Sequence, residues 1–212
     1  MRGQPRGGPQ PAKVYASLKK LGVRHLQFIA CLDPIEGERG AQPWALTPEA
    51  YGKFLCGLFD VYYRDWVNGD YTSVRLFDDY IHMAMGMPAG TCATSGSCGA
   101  YFVVEGDGTV YPCDFYCLDE WKMGRIGEQS IPELANSEKA RLFLQQGERK
   151  PDACADCRWY SLCHGGCKRD WVENDGKLEN YSCLAFKEFL PMPKAGFWRS
   201  HGRKRNTIGD RK

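Results

Sequence analysis

No apolar run in this 212-residue sequence approaches the roughly 20 residues that span a bilayer, which excludes a transmembrane helix. The first residues, MRGQPRGGPQP, are basic with no apolar core behind them, which excludes a secretory signal. Charge of one sign is lacking too. The 28 Lys and Arg against 26 Asp and Glu leave +2, so neither nucleic acid nor an anionic membrane is demanded as a partner. No internal repeat is visible. A cytoplasmic globular protein of one or two domains is expected, and 43% hydrophobic with 25% charged residues fits that class.

What the sequence has in quantity is cysteine, eleven in all. In a reducing cytosol an odd number of thiols points to metal or cluster ligation rather than disulfides. The run 154–167 reads CADCRWYSLCHGGC, spaced Cys-x2-Cys-x5-Cys-x3-Cys, and Cys183 follows it. Upstream lie Cys92, Cys98 and Cys113, the last introduced by the GTVYPC run of 108–113. Those eight thiols make two sets of four, the usual complement of one iron–sulfur cluster or one structural zinc. Short Cys-x2-Cys loops place two sulfurs on one side of an ion, and distant cysteines close the cage. Spacing alone does not choose the metal, since sulfur cages suit zinc and iron clusters alike.

Residues 1–12 are glycine- and proline-rich and predict a disordered leader. Residues 14–20 read as the end of a helix, stopped near Gly22. RHLQFIACL at 24–32 reads as a strand buried on both faces, as in a parallel sheet. Thr47, Pro48 and Glu49 open a helix with an N-cap hydroxyl and proline at the first position. Its apolar face is Tyr51, Phe54, Leu55, Leu58, Phe59, Tyr62 and Trp66, with a stop by Asn68 and Gly69. Residues 72–77 predict a second short strand, and 78–85 a helix capped by Asp78. Cys56, Met83, Met85 and Met87 read as packing residues. Residues 100–105 and 109–112, joined by Gly106, Asp107 and Gly108, predict a β-hairpin that delivers Cys113 and Asp114 at its end. Ser130 to Glu133 is a capping box opening a helix that runs to near Gly147. A turn at Asn174–Gly176 precedes a closing helix carrying Cys183, Phe186 and Leu190.

The pattern Cys92…Cys98…Gly108-x4-Cys113…Cys154-x2-Cys157-x5-Cys163-x3-Cys167…Cys183 resembles the SPASM domain of peptide-modifying radical SAM enzymes. The Cys113–Asp114 pair and WYSLCHGGC at 159–167 are similar to the anaerobic sulfatase-maturating enzymes within that group. The resemblance runs from about Lys13 to Pro191. It implies an α/β remnant of a radical SAM partial (β/α) barrel over 13–90, then a Cys-rich α+β SPASM domain over 91–190, with a leader at 1–12 and a basic tail at 191–212. It also implies two auxiliary [4Fe-4S] clusters with interleaved ligands. Cys92, Cys98, Cys113 and Cys167 would hold an inner cluster, and Cys154, Cys157, Cys163 and Cys183 an outer one. Cys31, Cys56 and Cys117 match no ligand position.

In that family a 5′-deoxyadenosyl radical takes a Cβ hydrogen from a Cys or Ser of a sulfatase polypeptide. Loss of a further electron and proton, then hydrolysis for a Cys substrate, leaves formylglycine. By the resemblance, Asp114 is the base for the substrate thiol or hydroxyl. Its plain alternative is a turn cap after the hairpin. Leu32 would wall the adenine of S-adenosyl-L-methionine, with core packing as its plain alternative. The implied partners are the sulfatase polypeptide and an electron donor or acceptor protein.

The family's early Cys-x3-Cys-x2-Cys, which holds the SAM-binding cluster, is missing, since only Cys31 and Cys56 precede Cys92. A full βα barrel takes about 250 residues, and only roughly 80 lie before Cys92. The chain is therefore expected to be the C-terminal part of a maturase, inactive alone, with SAM and a third [4Fe-4S] cluster belonging to the full-length family. Two other readings stand beside it. One is a non-catalytic iron–sulfur or zinc module that binds a peptide or transfers electrons. The other is a different SPASM peptide-modifying enzyme.

Overall fold

The longest helix starts where its cap chemistry directs. The Ala50 N–H donates to Thr47 Oγ1 at 3.2 Å and Pro48 takes the first position, so α2 (Pro48–Val67) follows at once. Its Leu55, Leu58, Phe59 and Tyr62 are buried, with Tyr51, Phe54 and Trp66 packed partly against the same core. The computed structural model describes residues 10–31 and 33–192. Leu32, assigned to the SAM adenine above, lies outside the described residues, as do 1–9 and the tail from 193.

Helix α1 (Pro11–Lys20) packs on α2 and begins earlier than a leader over 1–12 allows. Proline suits the first helical turn, where its missing N–H is no loss, and the Pro11 ring lies against Gly57 of α2. Two strands, β1 (His25–Leu26) and β2 (Ser73–Val74), then pair in parallel, His25 with Ser73 and Leu26 with Val74. Both are shorter than the sequence predicts. At Arg75 the second strand turns into α3 (Arg75–Ala84), so the partner of 27–31 runs out and Ile29 stands 70% exposed. Asp78 is not the cap of α3. It lies inside the helix and accepts hydrogen bonds from Tyr62 Oη at 2.7 Å and Ser73 Oγ at 2.5 Å, tying α3 to α2 and β2.

After α4 (Cys92–Ser95) comes a three-stranded antiparallel sheet of β3 (Val103–Val104), β4 (Thr109–Tyr111) and β5 (Gly124–Arg125), with β4 in the middle. The expected hairpin is present but shorter, and it gains a third strand. Val110 of β4 is fully buried against Met123, Leu134 and Ala140. The single helix expected from Ser130 to Gly147 is two, α5 (Ile131–Ala135) and α6 (Glu138–Glu148). The capping box at Ser130 and Glu133 forms as read. The break follows from local side-chain bonds that compete with the helix: Asn136 Nδ2 donates to the Pro132 carbonyl at 2.8 Å, and Ser137 re-caps through the Ala140 N–H at 3.2 Å.

The four-cysteine run contains α7 (Tyr160–Cys163), and β6 (Trp171–Asn174) with β7 (Lys177–Asn180) form a hairpin where the sequence signalled only a turn. Asp175 (φ 49°) and Gly176 (φ 75°) are the left-handed pair that matches strand twist in such a hairpin. Helix α8 (Cys183–Phe189) closes the described chain by packing on α2. Phe189 is fully buried, its ring centroid 5.3 Å from that of Phe77 and 5.6 Å from that of Phe59. Burial of such a side chain contributes about 1.5–3 kcal/mol. The largest core thus joins residues before 90 to residues after 180. Cys56, Met83 and Met85 pack against it, while Met87 is 40% exposed.

Candidate metal centre

All eleven cysteines are free thiols. The first ligand candidates are placed by a buried carboxylate: Asp79 of α3 accepts from the Gly90 N–H at 2.5 Å and from the Thr94 hydroxyl, fixing the segment that carries Cys92. Thr91 caps the short helix through the Thr94 N–H at 3.1 Å. His164 Nδ1 then reaches the Thr94 carbonyl at 2.8 Å, joining the four-cysteine run to this helix across 70 residues of sequence. Cys98 and Cys113 pack with Tyr116, Trp121 and Phe143, and the Arg169 N–H donates to Cys167 Sγ at 3.4 Å. Burial drives the Cys167 thiol up to about 12, and Cys92 and Cys113 lie near enough to add to that rise. Cys98 is likewise raised by burial first and by Cys92 after it. The structure therefore brings Cys92, Cys98, Cys113 and Cys167 into one neighbourhood.

The other four thiols line a single cavity of about 740 Å³: Cys154, Cys157, Cys163 and Cys183. Burial lifts Cys163 to about 11, with Cys154, Cys183 and Cys157 contributing. The loop is held from outside by the β6–β7 hairpin. Trp171 Nε1 and Asn180 Nδ2 both donate to the Gly165 carbonyl at 2.8 Å, and the Leu178 N–H donates to Asp152 Oδ2 at 2.9 Å. Cys117 is half-buried and Cys31 exposed, and neither joins a set.

Among the described residues, no three His, Cys, Asp or Glu side chains converge tightly enough to hold a single metal ion. The outer thiols instead line part of an open cavity many times larger than the roughly 30 Å³ of one water. Beside the inner set, the buried Arg169 Nη1 has no hydrogen-bond partner. An anionic iron–sulfur cluster ligated by thiolates would suit both features: it needs four spread thiols, and it would offer acceptors to an orphaned guanidinium N–H. Thiols lifted by burial ionise only beside positive charge, which the iron of a cluster would supply.

Asp114 lies at the rim of a second cavity, of about 380 Å³, between Phe28, Leu76 and Tyr80 on one side and Cys92, Cys167 and Arg169 on the other. Its Oδ1 accepts from Tyr101 Oη at 3.2 Å and from Cys113 Sγ at 3.3 Å. These bonds run to side chains and not to a backbone N–H, so a capping role finds no partner here. Burial, then Cys113 and Asp114, raise the Tyr101 pKa, so the phenol stays a donor. The sequence reading gave Tyr101 no role. The hairpin register was the available signal, because the Val103–Tyr111 pair, continued by two residues, sets Tyr101 opposite Cys113. Arg169 was also missed. Its guanidinium donates to the Asp33 carbonyl, Arg39 Nη2 donates to the Arg169 carbonyl at 2.6 Å, and together they strap the 33–42 loop onto the Cys-rich part.

Residues 96–158 match the SPASM iron–sulfur cluster-binding domain. The cysteine-type anaerobic sulfatase-maturating enzyme of Clostridium novyi is 42% identical over 180 residues, covering 84% of this chain and 48% of that protein. The serine-type enzyme of Bacteroides thetaiotaomicron is 28% identical over 200 residues, covering 85% of this chain and 47% of its own length. The solved structure of native anSMEcpe with bound AdoMet superposes with a TM-score of 0.84 at 38% identity, over 91% of this chain and 53% of that one. The same enzyme with AdoMet and Cp18Cys peptide gives 0.83. No helix among the described residues is long and apolar enough to cross a membrane. By sequence and by fold, this chain is a relative of the anaerobic sulfatase-maturating enzymes and spans about half their length.

Proposed function

We propose that the chain is the C-terminal, auxiliary-cluster part of an anaerobic sulfatase maturase, with a barrel portion over 13–90 and a SPASM portion over 91–190. It would hold two [4Fe-4S] clusters, the inner on Cys92, Cys98, Cys113 and Cys167 and the outer on Cys154, Cys157, Cys163 and Cys183. The observation that carries this reading is the grouping of eight dispersed thiols into two neighbourhoods, with Asp114 beside one of them at the edge of a cleft. A sulfatase polypeptide enters that cleft, and a residue in it is oxidised to formylglycine. Among the sulfatase-maturating relatives, those at 40–42% identity are cysteine-type and those at 28–29% serine-type, which favours cysteine as the residue oxidised.

When bound, S-adenosyl-L-methionine and its own cluster would supply hydrogen-abstracting radical chemistry in the full-length enzyme, and clusters held by the eight thiols would supply a site for the second electron. This chain's residues do the rest. Asp114 accepts the substrate thiol proton, and the Tyr101 hydroxyl fixes the carboxylate's direction. Phe28, Leu76 and Tyr80 form an apolar wall that keeps water from the reacting carbon.

The test joins the chain to the portion of the Clostridium novyi relative that it does not span, then makes Asp114→Asn. The change is near-isosteric and keeps an acceptor for Tyr101 but removes the base. Formylglycine production should fall by about 10²–10⁴ with iron content unchanged. Product at the parent rate would mean that another group takes the proton. An electron-transfer module with no catalytic part would be indifferent to the change.

A further inference from the structure

We infer that Lys168 is a positioning residue for charge. Its buried ammonium, held among aromatic rings beside the inner thiols, raises the reduction potential of the cluster those thiols hold. The inference rests on the inner ligand set proposed above. Lys168 is 8% exposed, and its Nζ lies 3.6 Å from the Phe143 ring centroid, 4.7 Å from that of Tyr116 and 4.9 Å from that of Trp121. Those three rings are the ones against which Cys98 and Cys113 pack, and Cys167 is the preceding residue. Nζ donates to the Phe143 carbonyl and to Gln146 Oε1, both at 3.3 Å.

Among the described residues no carboxylate pairs with this cation. Aromatic faces and neutral carbonyls stabilise a desolvated ammonium only in part. The anion that completes its environment is the thiolate-ligated cluster. In a low-dielectric site a fixed positive charge favours the reduced, more negative cluster over the oxidised one. Electrons leaving a substrate in the adjoining cleft then fall toward the inner cluster.

The chain is reconstituted anaerobically with iron and sulfide and titrated by EPR at controlled potential, as parent, Lys168→Met and Lys168→Arg. Methionine keeps the apolar stem in the cage and removes the charge, whereas arginine keeps the charge. In Lys168→Met, one of the two one-electron waves should move to lower potential by at least about tenfold in the reduction equilibrium, 59 mV for one electron. The other wave should stay, and Lys168→Arg should restore most of the shift. Unmoved waves with full iron in Lys168→Met would overturn the inference, as would equal shifts in both variants, which would indicate shape and not charge. Loss of about four irons in Lys168→Met alone would make the residue a holder of the cluster and would also overturn it. A parent with fewer than two clusters would instead overturn the underlying ligand assignment.

Discussion

Gly147, near the end of α6, is a place where one methyl group tests the inner site. A Cβ there would lie 2.6 Å from Cys98 Sγ, 2.8 Å from Cys98 Cβ and 3.3 Å from the Cys98 backbone N. The sulfur could rotate away where no metal holds it, but the Cβ is fixed by the Cys98 backbone and the N is part of it, so both move only if that backbone moves. Overpacking of this kind costs about 1–3 kcal/mol. Against it, alanine is favoured over glycine by up to about 1 kcal/mol within a helix, and by less in a terminal turn. Gly147→Ala should therefore lose about 1–2 kcal/mol, a fall in Tm of roughly 2–8 °C for a domain of this size.

The clash should act more strongly on the cluster than on the fold, because a ligating Cys98 Sγ has no freedom to turn aside. Iron per chain after anaerobic reconstitution should drop toward half while the outer set stays loaded. Gly176→Ala is the matched control. Its left-handed turn makes alanine strained by about 1 kcal/mol, yet nothing lies within 4 Å of the new methyl, so iron should not change. A Gly147→Ala protein with raised Tm and full iron would show that Cys98 can retreat at no cost, and that it is not a fixed ligand.

Two further outcomes are expected. Cys163→Ala and Cys167→Ala, four residues apart, should each remove about four of about eight irons but from different clusters, distinguishable by EPR, while Cys117→Ala should remove none. Burial alone would raise the pKa of Asp65, but hydrogen bonds from Lys19 and Arg64 outweigh it and lower the pKa. The resulting stability is present above the ordinary aspartate pKa of about 3.9 and is lost as pH falls through the folded value. Lys19→Met should thus cost roughly 1 kcal/mol at pH 7 in urea unfolding of the cluster-free chain, and progressively less as pH falls below about 3.9 toward the lowered folded value. A gap that persists in acid would place the effect in packing.

Local chemistry was legible wherever a residue acts on its immediate neighbours. Thr47, Ser130 with Glu133, and the glycine turn before Thr109 all do what their sequence positions direct. Failures came where a distant group competes for the same side chain. Asp78 reads as a cap until Tyr62 and Ser73 claim its oxygens. The run 24–32 reads as a long strand, but strand length depends on a partner, and β2 becomes helix after two residues. Cysteine spacing pointed to eight candidate ligands but not to their surroundings. Tyr101, Lys168 and Arg169 carry no spacing signal of their own and become visible only when the hairpin register and the aromatic rings bring them to the thiols.

The interleaving of the two sets has a mechanical consequence. Cys163 and Cys167 lie on either side of His164 and two glycines, yet one faces the cavity of the outer thiols and the other the neighbourhood of Cys92. A cluster on the proposed inner set would close a loop from Cys92 to Cys167, and one on the proposed outer set would close Cys154 to Cys183, so each would remove chain entropy that the other cannot. Cys183 opens α8, and that helix ends in Phe189, seated between Phe59 and Phe77. A displacement of the outer thiols is therefore felt in the core of α2 and α3, whose neighbouring segments form the apolar wall facing Asp114. The same seven-residue helix thus carries one of the outer thiols and seats its last ring in the core that borders the cleft beside Asp114.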